Sequence, residues 1–271
     1  MPHPSAQPVL FVSHGSPTFA IEPGIAGPAL AALGRTLPRP KAILVVSPHW
    51  TTREPRVATT PQPQTIHDFG GFPPALYELQ YPAPGAPEVA QRAIELLREA
   101  GLAAEADTQW GLDHGAWVPL RYLFPAADVP VFQVSLPARL DGARAYAYGQ
   151  ALAPLAQEGV LIVGSGSLTH NLYEVRFDAP DAAAESYALG FAGWVADTVT
   201  RQDHAALQQT MALAPHAQRA HPTAEHLWPL MVAAGAAGAE APARRIDGGM
   251  THGVLSMDAF VFGGVTGFSQ A

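Results

Sequence analysis

The stretch GVLIVGSGSLTHNL, residues 159–172, contains an apolar run, a turn of small residues and then one histidine, His170. Two other stretches repeat this order: VLFVSHGSPT at residues 9–18 contains His14, and AILVVSPHW at residues 42–50 contains His49. Apolar runs of this length are typical of strands that are buried on both faces, as in parallel sheets. Because ligands of open α/β sheets collect beyond the carboxyl ends of the strands, three histidines at strand ends predict a metal or acid-base site there.

The segments between these strands have helical patterns, and the alternation of strand and helix favours a parallel sheet with right-handed crossovers. We therefore predict an α/β fold: one catalytic domain over residues 1–271, built as a three-layer sandwich with a mostly parallel central sheet and helices on both faces. The active site is expected at the carboxyl ends of the strands. The predicted strands are Pro8–Ser13, Ala42–Ser47, Val131–Ser135, Val160–Val163 and Leu255–Phe262, and the predicted helices are Gly27–Leu37, Pro87–Ala100, Ala116–Phe124, Gly142–Gln157, Ala182–Arg201, Ala205–Leu213 and Pro222–Ala234.

A long segment from Thr51 to Gly85 has a different composition, rich in Pro, Gly, Gln, Tyr and Phe. So long a stretch with little regular structure inside a compact domain is usually functional. We interpret it as a lid or as the wall of a binding cleft, with aromatic side chains that suit an apolar or aromatic ligand.

The composition excludes several classes of site. The chain has no cysteine, which excludes disulfides, cysteine-zinc sites, iron-sulfur clusters and thiol nucleophiles, and leaves histidines and carboxylates as metal ligands. Its only lysine, Lys41, directly precedes a predicted strand, which argues against a Schiff-base enzyme. There is no phosphate-loop pattern and no G-x-S-x-G motif, so a nucleotide site and a serine hydrolase are both disfavoured.

The charge and hydropathy of the chain bear on its partners and location. A net charge of −8 argues against a nucleic-acid partner, because binding phosphates requires clustered positive charge. The first residues lack the basic and long apolar regions of a signal peptide. No window approaches the roughly 18 to 20 apolar residues that a membrane span requires. These features predict a cytoplasmic protein without a membrane or nucleic-acid partner.

The third metal ligand is left open by the pattern. His226 lies far along the chain from His14 and His49, beside Glu225 on an expected early turn of a helix. Either residue could complete a three-ligand site with the two histidines, leaving positions open for substrate and oxygen; His226 is the preferred candidate. The pattern alone also allows His170 as a third ligand. His221 is a weaker candidate than His226, and His252 lies in a glycine-rich turn without an assigned role.

Two further histidines, His67 and His114, lie on loops beside the aspartates Asp68 and Asp113. Aspartates in such loops commonly form local turns, so the pattern is compatible with loop structure alone. The alternative is that these histidines line the cleft, and His114 is the stronger candidate, at the expected start of a helix.

Several motifs, in order along nearly the whole chain, resemble the 4,5-DOPA extradiol dioxygenase family of class III ring-cleaving dioxygenases, related to the catalytic subunit of protocatechuate 4,5-dioxygenase. They are HGSP from residue 14, SPHW from residue 47, HDFGGFP from residue 67, YPAPG from residue 81, GLDHGAW from residue 111, THNL from residue 169 and PTAEH from residue 222.

The resemblance implies a non-haem iron(II) site with His14, His49 and His226 as ligands, where the protocatechuate branch has a glutamate as its third ligand. It also implies that His170 is the acid-base residue beside the metal, close enough to be a fourth ligand. His114 is expected to take part in catalysis by hydrogen bonding to substrate or oxygen. The substrate contacts are expected from His67, Ser16 and Asp113.

The implied function is the opening of the aromatic ring of a DOPA-like catechol with O2 to give a muconic semialdehyde, an oxidoreductase reaction that incorporates both oxygen atoms. Three neutral imidazoles also suit zinc(II), which could occupy the site. The alternatives are a zinc-dependent hydrolase with the same three histidines and a non-catalytic binding protein of this fold; the second predicts loss of a site histidine, and none is missing. The expected partners are a small-molecule catechol and O2, and the expected state is a monomer or small homo-oligomer.

Overall fold

A computed structural model describes residues 6–264 of the chain. The strands in these residues are β1 (Val9–Ser13), β2 (Ala42–Val46), β3 (Thr51–Thr52), β4 (Arg56–Ala58), β5 (Glu105–Asp107), β6 (Val131–Gln133), β7 (Leu136–Pro137), β8 (Val160–Gly166), β9 (Ala243–Ile246), β10 (Met250–Thr251), β11 (Leu255–Ser256) and β12 (Ala259–Phe262). The predicted domain of residues 1–271 includes both termini outside the described residues, so this boundary stays a prediction.

The helices comprise one 3₁₀ helix, Pro17–Ala20, and eleven α-helices within the described residues. The α-helices are α1 (Ala26–Thr36), α2 (Pro74–Tyr77), α3 (Pro87–Glu99), α4 (His114–Leu123), α5 (Gly142–Leu152), α6 (Pro154–Gln157), α7 (Ser186–Thr200), α8 (His204–Gln208), α9 (Thr210–Leu213), α10 (Ala217–Ala220) and α11 (Trp228–Ala237). Within residues 6–264, none of these helices is long and apolar enough to cross a membrane.

The central sheet has six strands in the order β6-β2-β8-β1-β12-β9. The four strands from β6 to β1 run parallel, whereas β12 is antiparallel to both of its neighbours, β1 and β9. Strands β1, β2 and β8 are buried on both faces, as their uninterrupted apolar runs predict. The predicted α/β fold with a mostly parallel sheet is therefore confirmed.

The alternation of side chains along the buried strands divides the core into two layers. Along β1, Val9 and Phe11 belong to one apolar cluster, and Leu10 and Val12 belong to the other. Helices α1 and α4 pack in the cluster of Leu10, and helices α3, α5, α7 and α11 pack in the cluster of Val9. The arrangement is a three-layer sandwich with helices on both faces of the sheet.

Helices α5 and α11 approach each other closely because glycine stands at the crossing. A Cβ atom added at Gly149 of α5 would lie 2.0 Å from the carbonyl oxygen of Val232, and one added at Gly235 of α11 would lie 2.0 Å from that of Tyr146. Neither distance is compatible with a side chain. This close packing fixes α11, which lies two residues after the Glu225–His226 pair in the chain.

Several predicted elements differ from those observed. The helix predicted over Gly142–Gln157 is two helices, because Pro154 cannot continue the hydrogen bonding of α5. Strand β8 extends three residues further, to Gly166. The predicted helix over Pro222–Ala234 begins only at Trp228, so His226 lies in a turn before the helix and not on its first turn. The predicted final strand over Leu255–Phe262 is two strands, which belong to different sheets.

Candidate active site

The site is built at the carboxyl edge of the sheet by three neighbouring strands. In the parallel pairs, Ser13 of β1 lies opposite Gly166 of β8, and Val46 of β2 lies opposite Gly164. His14 is the first residue after β1, and His49 is the third residue after β2. The register of the sheet therefore places both histidines at one edge, as the sequence predicts.

Three imidazoles converge there. One ring nitrogen from each of His14, His49 and His226 lies within 4.8 Å of the others, and the Nε2 atoms of His14 and His49 are 3.1 Å apart. His226 reaches the cluster from the turn before α11, whose position against β8 is close: a Cβ added at Gly166 would lie 2.2 Å from the carbonyl oxygen of His226. The close packing of this turn against β8 therefore places the imidazole of His226 beside those of His14 and His49.

The ring nitrogen of His14 that faces away from the cluster, Nδ1, has a hydrogen-bond partner in Ser165. Its Nδ1 lies 3.0 Å from the hydroxyl of Ser165, and that hydroxyl donates its own proton to the carbonyl oxygen of Gly115. Because the serine proton is used in this way, the serine oxygen accepts from an Nδ1–H of His14. The Nε2 atom then carries a lone pair directed at the cluster.

The other two imidazoles have carboxylates behind them. The Nδ1 of His226 lies 3.1 Å from Glu225 Oε1, and the Nδ1 of His49 lies 3.6 Å from Asp68 Oδ2. A carboxylate only accepts, so the bond to Glu225 fixes a proton on Nδ1 of His226 and leaves Nε2 as a ligand atom. A hydrogen-bond partner on the second nitrogen is the usual support of histidines that bind metals.

The electrostatics of the cluster favour neutral imidazoles. Burial, followed by the neighbouring imidazoles, lowers the pKa of His14 and of His226 well below the ordinary value. Burial and His114 lower the pKa of His49 to about 3. Neutral histidines are the form that binds a metal ion. Three neutral imidazoles, two of them with a tautomer fixed by a hydrogen bond, therefore fit a divalent metal ion with open positions, of the type that either iron(II) or zinc(II) occupies.

His170 lies directly beside this cluster. Its ring stacks on that of His226 with centroids 3.5 Å apart and an interplanar angle of 10°. A ring nitrogen of His170 lies within 4.8 Å of ligand atoms of both Glu225 and His226. Burial lowers the pKa of His170 to about 4, so its imidazole is neutral at pH 7 and can accept a proton. This geometry fits either an acid-base residue or a fourth ligand.

His114 lies on the opposite side, as the first residue of α4. Its ring centroid is 3.9 Å from that of His49, and its Nδ1 lies 2.9 Å from Asp68 Oδ2. Although burial alone would raise the pKa of Asp68, its hydrogen bonds with His114 outweigh this effect and lower that pKa. The carboxylate accepts from Nδ1–H, which leaves the Nε2 of His114 as an acceptor.

These residues lie in a cavity of about 650 Å³, a size typical of small-molecule sites. Most of the other lining residues are apolar or glycine, and Phe69–Pro73 of the long segment before α2 forms one wall. The interpretation of that segment as a cleft wall agrees with this position. The lining includes His14, Ser16, His49, Phe69, Phe72, His114, His170, Leu172, Phe177, His226 and His252.

Of the three predicted substrate contacts, Ser16 lines the cavity, whereas Asp113 and His67 do not. Ser16 lines the cavity, where its hydroxyl accepts from Thr18. Asp113 is fully buried behind the wall, caps α4 by accepting from the backbone of Ala116, and accepts from Gln133. Burial, followed by the charge of Asp68, raises the pKa of Asp113 to about 6. Nε2 of His67 donates to the carbonyl oxygen of Leu79 at 2.9 Å, and His67 does not line the cavity.

His221 and His252, the two histidines whose role the sequence left open, differ in their position relative to the cavity. His221 is fully buried, with Nε2 2.9 Å from the carbonyl oxygen of Leu168, and lies outside the cavity lining. His252 does line the cavity. Sequence reasoning assigns no role to Ser165, or to the carboxylate of Asp68 beyond a local turn, because their partners lie 151 and 46 residues away in the chain. The only available signal is their position within stretches that the sequence analysis singles out: Asp68 lies in HDFGGFP from residue 67, and Ser165 lies in residues 159–172.

The fold and this cluster define an α/β protein with a candidate metal-dependent active site for a small molecule. Residues 10–256 match the family described as the catalytic LigB subunit of aromatic ring-opening dioxygenase. The chain belongs to this family, in agreement with the resemblance of its motifs to extradiol dioxygenases.

Individual relatives support the same assignment. The chain is 41% identical over 256 residues to 4,5-DOPA dioxygenase extradiol of Beta vulgaris, covering 93% of this chain and 95% of the relative. It is 39% identical over 252 residues to 4,5-DOPA dioxygenase extradiol of Escherichia coli (strain K12), covering 92% of each chain. A crystal structure of an uncharacterized protein from Escherichia coli K12 matches with a TM-score of 0.79 and 33% identity, covering 95% of this chain and all of the other.

Proposed function

We propose that this enzyme is an iron(II)-dependent extradiol dioxygenase that opens the ring of a DOPA-like catechol with O2 to give a muconic semialdehyde. The observation that carries the proposal is the convergence of three neutral imidazoles beside two further histidines in one cavity. His14, His49 and His226 would hold the metal through Nε2. Iron(II), when bound, supplies the redox chemistry between catechol and dioxygen, which zinc(II) lacks.

The protein's own residues handle the protons and the orientation of the substrate. His170 takes a proton from a catechol hydroxyl, because its imidazole is neutral at pH 7, and later returns it. His114 receives a hydrogen bond from substrate or oxygen at Nε2, since Asp68 holds the proton on Nδ1. General acid-base help of this kind contributes about 10² to 10⁴-fold in rate. The reaction is balanced, because both atoms of O2 enter the product and the proton on His170 is returned.

The cavity wall orients the ring and limits water. Phe69, Phe72 and Phe177 lie among the lining residues, and the ring of Phe72 is 6.3 Å from that of Phe177. Aromatic side chains of this kind pack against the faces and edges of a catechol ring. The cytoplasmic location and the monomeric or small oligomeric state stay predictions of the sequence.

The test is reconstitution of the metal-free protein with iron(II) under anaerobic conditions, followed by addition of oxygen and a panel of catechols. We expect oxygen uptake matched one to one by a yellow ring-opened product. The same protein loaded with zinc(II) is the control and should form no product. If the iron(II)-loaded protein cleaves none of the catechols and the zinc(II)-loaded protein hydrolyses esters or amides, the protein is instead a zinc hydrolase. The same three imidazoles also suit that function.

A further inference from the structure

Asp113, the residue before α4, is a buried carboxylate for which the proposed reaction has no use. It is fully buried and does not line the cavity, so it cannot contact a substrate there. Its hydrogen-bond partners are neutral donors: the backbone of Ala116, the amide of Gln133 and the hydroxyl of Ser47. Burying a carboxylate is unfavourable unless hydrogen bonds compensate it. The partners of this carboxylate therefore indicate what it does.

Two hydrogen bonds join Asp113 to Gln133 of β6. The side-chain amide of Gln133 donates to Oδ2 of Asp113 at 2.8 Å, and its carbonyl oxygen accepts from the backbone nitrogen of Asp113 at 2.8 Å. Gln133 is fully buried and lies opposite Val45 in the parallel pair of β6 and β2. Because the donor and the acceptor of one amide are both used, the pair attaches the start of α4 to the central sheet in a single orientation.

A second connection leads from Asp113 to His49. Ser47, the first residue after β2, is fully buried, and its hydroxyl donates to the carboxylate of Asp113. The oxygen of that hydroxyl accepts from the backbone nitrogen of His49 at 3.3 Å. The carboxylate also caps α4, whose first residue is His114, by accepting from the backbone of Ala116 at 3.1 Å. One carboxylate thus holds both the turn that carries His49 and the helix that begins with His114.

The same network packs against His14 without room for a side chain between them. A Cβ atom added at Gly115 would overlap the hydroxyl of Ser47 and would lie 3.1 Å from Oδ1 of Asp113 and 3.2 Å from Nδ1 of His14. The carbonyl oxygen of Gly115 accepts from Ser165, whose oxygen accepts from that Nδ1. A shift at the start of α4 would therefore also reach the ring of His14.

We propose that Asp113 is a positioning residue of the metal site, which fixes the turn of His49 relative to the start of α4 through its bonds to Ser47 and Gln133. The inference rests on the metal ligands of the proposed function, and it gives Asp113 a different role from the substrate contact that the sequence predicts. The negative charge of Asp113 also favours a divalent cation at the cluster, because charges in a protein interior are screened less than in water.

Metal binding tests this role without turnover. The metal-free full chain is titrated with cobalt(II), whose visible absorption spectrum depends on the number and geometry of its ligands. In Asp113→Asn, the side chain still suits a helix cap, but it has one acceptor atom where the carboxylate has two, so a donor meets a donor at Gln133 or at Ala116. We expect the Kd of cobalt(II) to rise at least about tenfold, as for other outer partners of metal sites, with an altered spectrum.

The double variant Asp113→Asn/Gln133→Glu should reverse this loss. The glutamate side chain can accept from the backbone nitrogen of residue 113 and from its new amide, which restores both bonds and the buried negative charge. Most of the affinity and the wild-type spectrum should return. Asp141→Asn makes the same change at the exposed cap of α5 and should have no effect on binding. Thr198→Val, which removes a buried hydroxyl that donates to Trp194 in α7, controls for a general loss of stability.

Three results would overturn the positioning role: a wild-type Kd and spectrum in Asp113→Asn, an equal loss of affinity in Thr198→Val, or no recovery in the folded double variant. Circular dichroism establishes that each variant is folded. If either variant of Asp113 does not fold, Ser47→Ala decides, because it removes only the hydroxyl between Asp113 and His49. It should raise the Kd of cobalt(II) about tenfold, and an unaltered Kd would contradict the proposal.

The wild-type titration separates this inference from the proposed function. If the wild-type protein binds no cobalt(II), the metal site of the proposed function is wrong, and the role of Asp113 is wrong with it. If the wild type binds cobalt(II) and Asp113→Asn binds it equally well, the metal site stands and only the role of Asp113 is wrong.

Discussion

The carboxylate of Asp68 accepts two hydrogen bonds from His114, one from its backbone nitrogen and one from its ring. Oδ1 of the carboxylate accepts from the backbone nitrogen of His114 at 2.8 Å, and Oδ2 accepts from Nδ1 at 2.9 Å. The same Oδ2 lies 3.6 Å from Nδ1 of His49. One carboxylate from the long segment before α2 thus sets the ring orientation at the start of α4 and faces a metal-ligand candidate as well.

Replacing this carboxylate tests its positioning role. In Asp68→Asn, the amide oxygen can still accept from the backbone of His114, but the remaining amide group donates towards Nδ1–H and cannot accept from it. We expect kcat to fall by about 10- to 100-fold, the usual cost of losing such a support, with iron(II) still bound. Steady-state oxygen uptake and metal analysis measure the two effects. Asp197→Asn, on the exposed face of α7, is the control; an unaltered kcat in Asp68→Asn would falsify the role.

Removing the imidazole of His170 should separate proton transfer from metal binding. We expect His170→Ala to retain its metal and to lose about 10² to 10⁴-fold in kcat. Because this side chain forms part of the cavity wall, added imidazole should enter the space and restore part of the rate. Metal analysis accompanies the kinetics. Loss of the metal in His170→Ala would show instead that this imidazole is a necessary fourth ligand.

The assignment of the third ligand is tested by two neighbouring substitutions. His226→Gln should lose the metal, because Nε2 is the proposed ligand atom. Glu225→Gln should retain it with affinity weakened by about 10- to 100-fold, since only the support of Nδ1 changes. Titration of the metal-free variants with iron(II) measures both affinities. The reverse order of the two effects would make Glu225 the ligand.

Stability of the metal-free protein should depend on pH through His221. Burial lowers the pKa of this histidine to about 4, against an ordinary value of 6.5 in the unfolded chain. Between these values the unfolded state binds more protons, so this contribution destabilises the fold as the pH falls from about 6.5 to about 4. The loss between pH 7 and pH 5 is about 2 kcal/mol by the same relation.

His221→Gln removes the titrating group and keeps a donor that can reach the carbonyl of Leu168. The free energy of unfolding, measured with urea at pH 7 and pH 5, should therefore change less in this variant than in the wild type, by about 2 kcal/mol. His216→Gln, at an exposed position, is the control. An equal change in His221→Gln and wild type would contradict the buried, neutral state of His221.

Part of the site follows from the sequence. The apolar runs of β1, β2 and β8 predict buried parallel strands, and parallel strands share one carboxyl edge, so the pattern alone predicts His14 and His49 as neighbours. The same pattern predicts His170 at this edge, the sequence positions of His226 and His114 make them candidates, and the family resemblance assigns the roles of all three. The helix expected around His226 begins later, at Trp228, with Pro229 in its first turn, the position that proline favours at the start of a helix.

Only the tertiary structure decides which side chains hydrogen-bond to the ring nitrogens of the histidines. Hydrogen bonds to Ser165, Asp68 and Glu225 fix the tautomers of the histidines that they contact. The structure also shows that Asp113 caps α4, whereas Ser16 lines the cavity. The sequence determined the strands and their terminal imidazoles, because apolar burial and strand order are local patterns. The tertiary structure decided the proton positions, because these depend on ångström-scale contacts between segments that are distant in the chain.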